Sequence, residues 1–142
     1  MNVFQDTKST ISVRNMLYVV EGDPIPLQRP RFSGHVWDSQ KQAKLLVGIT
    51  LRNSHASHPL FEGILHVSLE FYMRPPVKKF DKMIGLYHCY KPDIDNLIKF
   101  YLDCASTVLF TDDCRIASLQ AVKKYDAIPR TVIMIQKINK GH

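Results

Sequence analysis

The sequence predicts an α/β protein: a small mixed β-sheet of about four or five strands with two main helices packed on one face. Short stretches with apolar side chains at every second position, as half-buried strands require, alternate with two longer stretches whose apolar residues recur every third or fourth position, as one helix face requires. Turn residues such as Gly22-Asp23-Pro24 and Pro129 separate them. A chain of 142 residues with 45% hydrophobic content can bury one core, so a single domain over residues 1–142 is expected.

Residues 1–14 are polar and read as a flexible tail. Met16 to Glu21 (MLYVVE) reads as a buried strand, ended by Gly22, Asp23 and Pro24. Pro26 and Pro30 then keep PIPLQRPRF extended, which leaves Arg29 and Arg31 in a loop. Asp38 or Ser39 is a candidate N-cap for a first helix running to about Asn53, with Ala43, Leu46, Val47 and Leu51 at helical spacing. In His66 to Arg74, Val67, Leu69, Phe71 and Met73 alternate with polar neighbours, so this is a half-buried strand. PPVKKFDKMIGLYHCYKP follows as a long basic loop carrying Lys78, Lys79, Lys82 and Lys91. Its Phe80 and Tyr87 read as loop anchors, with base stacking as the alternative.

The second helix is expected from Ile94 to Leu109, because Ile94, Leu97, Ile98, Tyr101, Leu102, Ala105 and Val108 hold the helical spacing throughout, with Asp93 at the N-cap. Two strands, about Arg115 to Lys124 and Thr131 to Ile138, complete the sheet around a turn at Tyr125 to Arg130. Trp37 and the strand aromatics read as core.

The apolar runs fall well short of the roughly 18 residues that a membrane span needs, and the polar start lacks a secretory h-region. A cytoplasmic protein without a membrane partner is expected. Cys89, Cys104 and Cys114 are odd in number and unpaired in pattern, so they read as free thiols rather than as a disulfide framework or zinc site.

A formal net charge of +6 favours a polyanionic partner. Against it stands an acidic island: Asp93, Asp95, Asp103, Asp112 and Asp113 fall within residues 93–113, where the only basic residue is Lys99. Such an island repels phosphate unless a divalent cation neutralises it. On a helix, Asp95, Lys99 and Asp103 stand at successive i+4 positions with Asn96 nearby, Asp93 lies just below, and a turn bearing Asp112 and Asp113 could fold back along them. Carboxylates without soft ligands suit a hard cation such as magnesium. Spacing alone leaves the plain alternatives open: caps, an exposed ion pair and an ordinary turn.

KPDIDNLIKFYLDCASTVLFTDD closely resembles the signature region of RusA-like Holliday junction resolvases. GDPIPLQRPRFSGHVWDSQKQAK resembles that family's N-terminal region, and LFEGILHVSLEFYMRPP followed by HCYKPDIDN its central strand and approach to the site. The resemblance implies that Asp93, Asp95 and Asp113 are catalytic metal-binding carboxylates and Lys99 the essential lysine; Asp112 matches the neighbouring acid of the pair, and either Asp112 or Asp113 could be the main ligand. Asp103 takes a supporting role, and Asn96 and His88 are further supporting candidates by their position. It implies magnesium, with manganese able to replace it, and hydrolysis of branched DNA by paired symmetric nicks that leave 5′-phosphate and 3′-hydroxyl ends. Paired cuts in a four-way junction call for a homodimer. Arg29, Arg31, Lys78, Lys79 and Lys82 are the candidate DNA contacts. Two other readings compete: a junction-binding protein that has lost cleavage, and a metal-dependent nuclease for another nucleic acid.

Overall fold

The computed structural model describes residues 15–28, 31–32, 36–37 and 39–138. Arg29, the candidate cap Asp38 and the tail assigned to residues 1–14 lie outside the described residues, as do the side chains of Arg31 and Trp37. In chain order the elements are strand β1 (Asn15–Glu21), the two-residue strands β2 (Arg31–Phe32) and β3 (Val36–Trp37), helix α1 (Lys41–His55), β4 (Ile64–Met73), a one-turn helix α2 (Phe80–Met83), α3 (Ile94–Ala105), β5 (Ile116–Tyr125) and β6 (Arg130–Ile138).

Four strands form one mixed sheet, as the sequence predicts, and their order is β1-β6-β4-β5. β6 is antiparallel to β1 and β4, whereas β4 and β5 are parallel. A parallel pair needs a crossover, and α3 lies in it, so the helix returns from the carboxyl ends of β4 and β5 to the amino end of β5. That direction decides where each acid of the island falls.

Strict alternation in β4 buries Leu65, Val67, Leu69, Phe71 and Met73 on one face, joined there by Tyr18 and Val20 of β1 and Ile133 and Ile135 of β6. Val47 and Leu51 of α1 cover them, with Leu97, Phe100, Tyr101, Cys104 and Ala105 of α3. Each large apolar side chain buried there contributes about 1.5–3 kcal/mol against conformational entropy. His55, also buried, is a structural residue: its Nδ1 lies 2.6 Å from the Tyr18 hydroxyl and its Nε2 3.0 Å from the Pro59 carbonyl.

Several expectations are corrected. The N-cap position of α1 is Gln40, not Ser39, whose hydroxyl instead reaches Gln28 Oε1 at 3.5 Å. Gln40 is buried and clamps the strap before it: Oε1 accepts from the Gln28 N–H and Nε2 donates to the Pro26 carbonyl, both at 2.8 Å. Arg31 belongs to β2, which pairs with β3, rather than to an open loop.

Helix α3 stops at Ala105 instead of Leu109. Ser106 is extended and Thr107 takes a left-handed φ of 66°, while the N–H groups of Val108 and Leu109 both return to the Ala105 carbonyl. That turn keeps Leu109 and Phe110 buried, so apolar spacing outlasts the helix.

The basic segment after β4 is not a structureless loop. Lys78 and Lys79 lie in a 3₁₀ turn (Val77–Lys79) and Lys82 in α2. Beyond them, residues 85–88 line the outer edge of β5: Gly85 N–H donates to the Tyr125 carbonyl, Tyr125 N–H to Leu86, and His88 N–H to Lys123.

Candidate active site

The start of α3 lies at the carboxyl ends of the parallel strands, where open α/β sheets place their ligand crevices. An open groove of about 660 Å³ is found there, lined by His88, Tyr90, Lys91, Asp93, Asp95 and Lys123 among others. Asp93 occupies the N-cap position with extended backbone, and its carbonyl accepts from the N–H groups of Asn96 and Leu97. Its carboxylate makes no capping hydrogen bond, although aspartate at an N-cap commonly does. The side chain instead lies 3.3 Å from the exposed Lys91 ammonium.

Asp95 stands in the first turn, where the helix dipole favours a negative charge. Its ion pair with Lys99 spans 3.9 Å between two exposed side chains, a geometry worth only a few tenths of a kcal/mol. Asn96 joins the site through its main chain, its carbonyl accepting from Leu27 N–H at 2.8 Å, which lays the strap of residues 25–28 against the first turn of α3.

Lys123, on β5, is a group that sequence reasoning missed. Its ammonium donates to the carbonyls of Tyr90 at 2.7 Å and Pro92 at 2.6 Å. Burial pulls its pKa below the ordinary lysine value, against the opposing pull of Asp93. Beside it, the His88 ring packs on Tyr125 with centroids 4.8 Å apart, and its pKa is lowered by burial and by the Lys123 charge. His88 Nδ1 is buried without a hydrogen-bond partner.

The other two candidate carboxylates stand elsewhere. Asp112 accepts from Cys114 N–H at 3.2 Å ahead of a 3₁₀ turn (Asp113–Arg115) that leads into β5. The Cys114 N–H and a hydrogen bond with Asp113 hold Asp112 below the ordinary carboxylate pKa; the same contact between the two acids, with burial and the nearby charges of Asp112 and Asp103, raises Asp113. Asp103 pairs with Lys44 of α1 at 3.7 Å.

Asp113 therefore belongs to the far end of α3. About 12 Å of helix axis separates Asp95 from Asp103, and β5 runs about 23 Å from Ile116 to Lys123 at the opposite end. Among the described residues, no three His, Cys, Asp or Glu side chains come close enough to hold a metal. The expectation that the Asp112-Asp113 turn folds back along the helix is not met within one chain. The cause is the crossover: β5 must begin where α3 ends, so its approach cannot revisit the helix start.

A family model for the endodeoxyribonuclease RusA matches residues 21–136. The chain belongs to this family. The RusA match spans both carboxylate pairs, Lys99 and Lys123. The uncharacterized protein YqaN of Bacillus subtilis (strain 168) is 26% identical over 136 residues, covering 86% of this chain and 96% of that protein. Membership in RusA makes the chain a nuclease of DNA by family. Among the described residues no helix is long and apolar enough to cross a membrane.

Proposed function

We propose that the chain is a divalent-metal-dependent endonuclease that resolves four-way DNA junctions by paired symmetric nicks, working as a two-fold homodimer. In this reading each active site combines Asp93 and Asp95 of one copy with Asp112 and Asp113 of the other. The observation that carries it is the placement of the two acid pairs at opposite ends of α3. Two copies related by a two-fold axis with their α3 helices antiparallel bring one copy's helix start to the other's helix end, and symmetry repeats the meeting. One dimer then holds two equivalent sites, as two symmetric cuts require.

The donor set fits a hard cation: exposed carboxylate oxygens in an open groove, free of capping duties at Asp93. When bound, magnesium, or manganese in its place, supplies polarisation of a phosphate oxygen and orientation of a water for in-line attack. Lys99 adds positive charge where negative charge grows on the phosphate in the transition state. Lys78, Lys79 and Lys82, all exposed on the segment that leads to the groove, contact the DNA backbone, together with Arg29 and with Arg31 of β2.

Mixing two inactive variants tests this reading. Asp95→Asn and Asp113→Asn each abolish cleavage of a synthetic four-way junction in magnesium. Co-refolded together, they form heterodimers in which one site carries both lesions and the other none, so single-strand nicking returns without paired cuts. Sites built within one chain would leave every site damaged and the mixture silent, and wild-type protein that leaves junctions uncut would overturn the whole reading.

A further inference from the structure

We propose that Lys123 is the positioning residue of this site: its ammonium locks the Tyr90–Pro92 segment and thereby fixes the Asp93 carboxylate in the groove. The inference rests on the nuclease reading above only in taking Asp93 as a cation ligand.

An ammonium has three donors, and two of those on Lys123 are engaged by main-chain carbonyls at 2.6 and 2.7 Å, the short distances expected of charge-assisted bonds. One of those carbonyls belongs to Pro92, so it lies in the peptide that carries the Asp93 N–H. The Lys123 main chain also takes part, its carbonyl accepting from His88 N–H at 3.0 Å. One residue of β5 thus grips the approach to α3 at three points, from residue 88 to residue 92.

The Asn96 and Leu97 N–H groups hold the Asp93 carbonyl, but nothing else described steadies its carboxylate comparably. Its side chain caps no helix N–H, and its ion-pair partner among the described residues, Lys91, has a side chain 87% exposed, a pair that solvent and salt weaken. Lys99, proposed above for charge stabilisation, is paired with Asp95 at 3.9 Å, and among the described residues no main-chain group accepts from it. Strand alternation sends the neighbouring Lys124 to the opposite face of the sheet, where its ammonium lies 5.3 Å from the centre of the Tyr87 ring. Lys123 is part-buried, and among these cations it is the one whose ammonium donates to main-chain carbonyls of the approach to the helix.

Loss of an outer partner that orients a metal ligand costs about 10- to 100-fold in metal affinity. Lys123→Met keeps the length and the apolar stem and removes the donors. Manganese binding to the DNA-free full-length protein, read by electron paramagnetic resonance, is expected to weaken by about tenfold or more in this variant. The magnesium concentration for half-maximal junction cleavage rises with it, while junction affinity measured in calcium changes less than about threefold. Lys123→Arg, which still offers donors to two carbonyls, recovers most of the metal affinity.

A purely structural lysine gives a different pattern: a lower melting temperature and lower activity, with an unchanged manganese affinity of the folded fraction. That pattern, in Lys123→Met or, should the Met variant not fold, in Lys123→Gln, overturns the inference. Its failure is separable from that of the junction reading, since manganese affinity is read without DNA. Loss of manganese affinity in a protein that cuts no junction would sink the substrate and leave the role of Lys123 standing.

Discussion

The three cysteines show how far burial alone separates chemically identical groups. Cys89 and Cys114 are exposed, whereas Cys104 sits on the inner face of α3 with its thiol pushed up to about 12 by burial. Only the thiolate attacks a disulfide reagent, so two of the three thiols should be labelled rapidly by a small aromatic disulfide at neutral pH. The third should react only as the chain unfolds, at a rate that follows the global unfolding rate. Fast labelling of Cys104 in the native protein, located by mass spectrometry, would mean that α3 is not docked as described. The same residue-level contrast governs the acids. Asp93, Asp95, Asp112 and Asp113 are all exposed, so their replacement by Asn should leave the urea midpoint nearly unchanged, and lost activity in those variants reports chemistry rather than folding.

At the level of elements, apolar spacing located strands and helices well because it reports which side chains are buried. It misplaced the end of α3 for the same reason: Leu109 is buried by a turn that closes on the Ala105 carbonyl after Ser106 and Thr107 have left helical geometry. The basic segment was opaque because its order comes from distant partners, the edge of β5 and the Lys123 ammonium, and α2 is a single turn too short to show a period. Alternation in β5 reveals which face Lys123 occupies and nothing of what it meets there. Gln40 is another case, a polar residue whose value depends on a strap lying between α1 and α3. Gln40→Leu removes both clamp bonds and strands the Gln28 N–H and Pro26 carbonyl, which should destabilise the fold by about 1–3 kcal/mol. Urea denaturation measures the loss, and faster hydrogen exchange at Gln28 locates it; an unchanged midpoint would show that water or a neighbour replaces the amide without cost.

For the whole molecule, the acids alone suggested one convergent site, and the order of strands divides them. Sequence fixes that Asp93, Asp95, Asp112 and Asp113 are close along the chain, and a parallel crossover is what carries them to opposite ends of a helix. No periodicity argument distinguishes a parallel from an antiparallel β4–β5 pair, so this division was not legible before the sheet was known. The charge contrast was legible, +6 overall with an acidic island at residues 93–113; the pairs Lys91–Asp93 and Lys44–Asp103, with cations from outside the island, were not.

A polyanion bound by such a protein should be released by salt in a countable way. For duplex arms, the logarithm of affinity falls with the logarithm of salt concentration at a slope of about 0.9 for each phosphate contacted. Lys78, Lys79 and Lys82 are exposed on the segment that reaches the groove, which makes them the cations to test for phosphate contact. Replacing any one with Gln should lower the slope by about 0.9 if that lysine touches a phosphate, with weaker binding to junction and plain duplex alike. Fluorescence anisotropy from low to physiological salt, in calcium to prevent cleavage, measures the slope directly. Slopes that stay at the wild-type value in all three variants would remove this segment from the DNA interface and leave the groove to bind DNA through other cations.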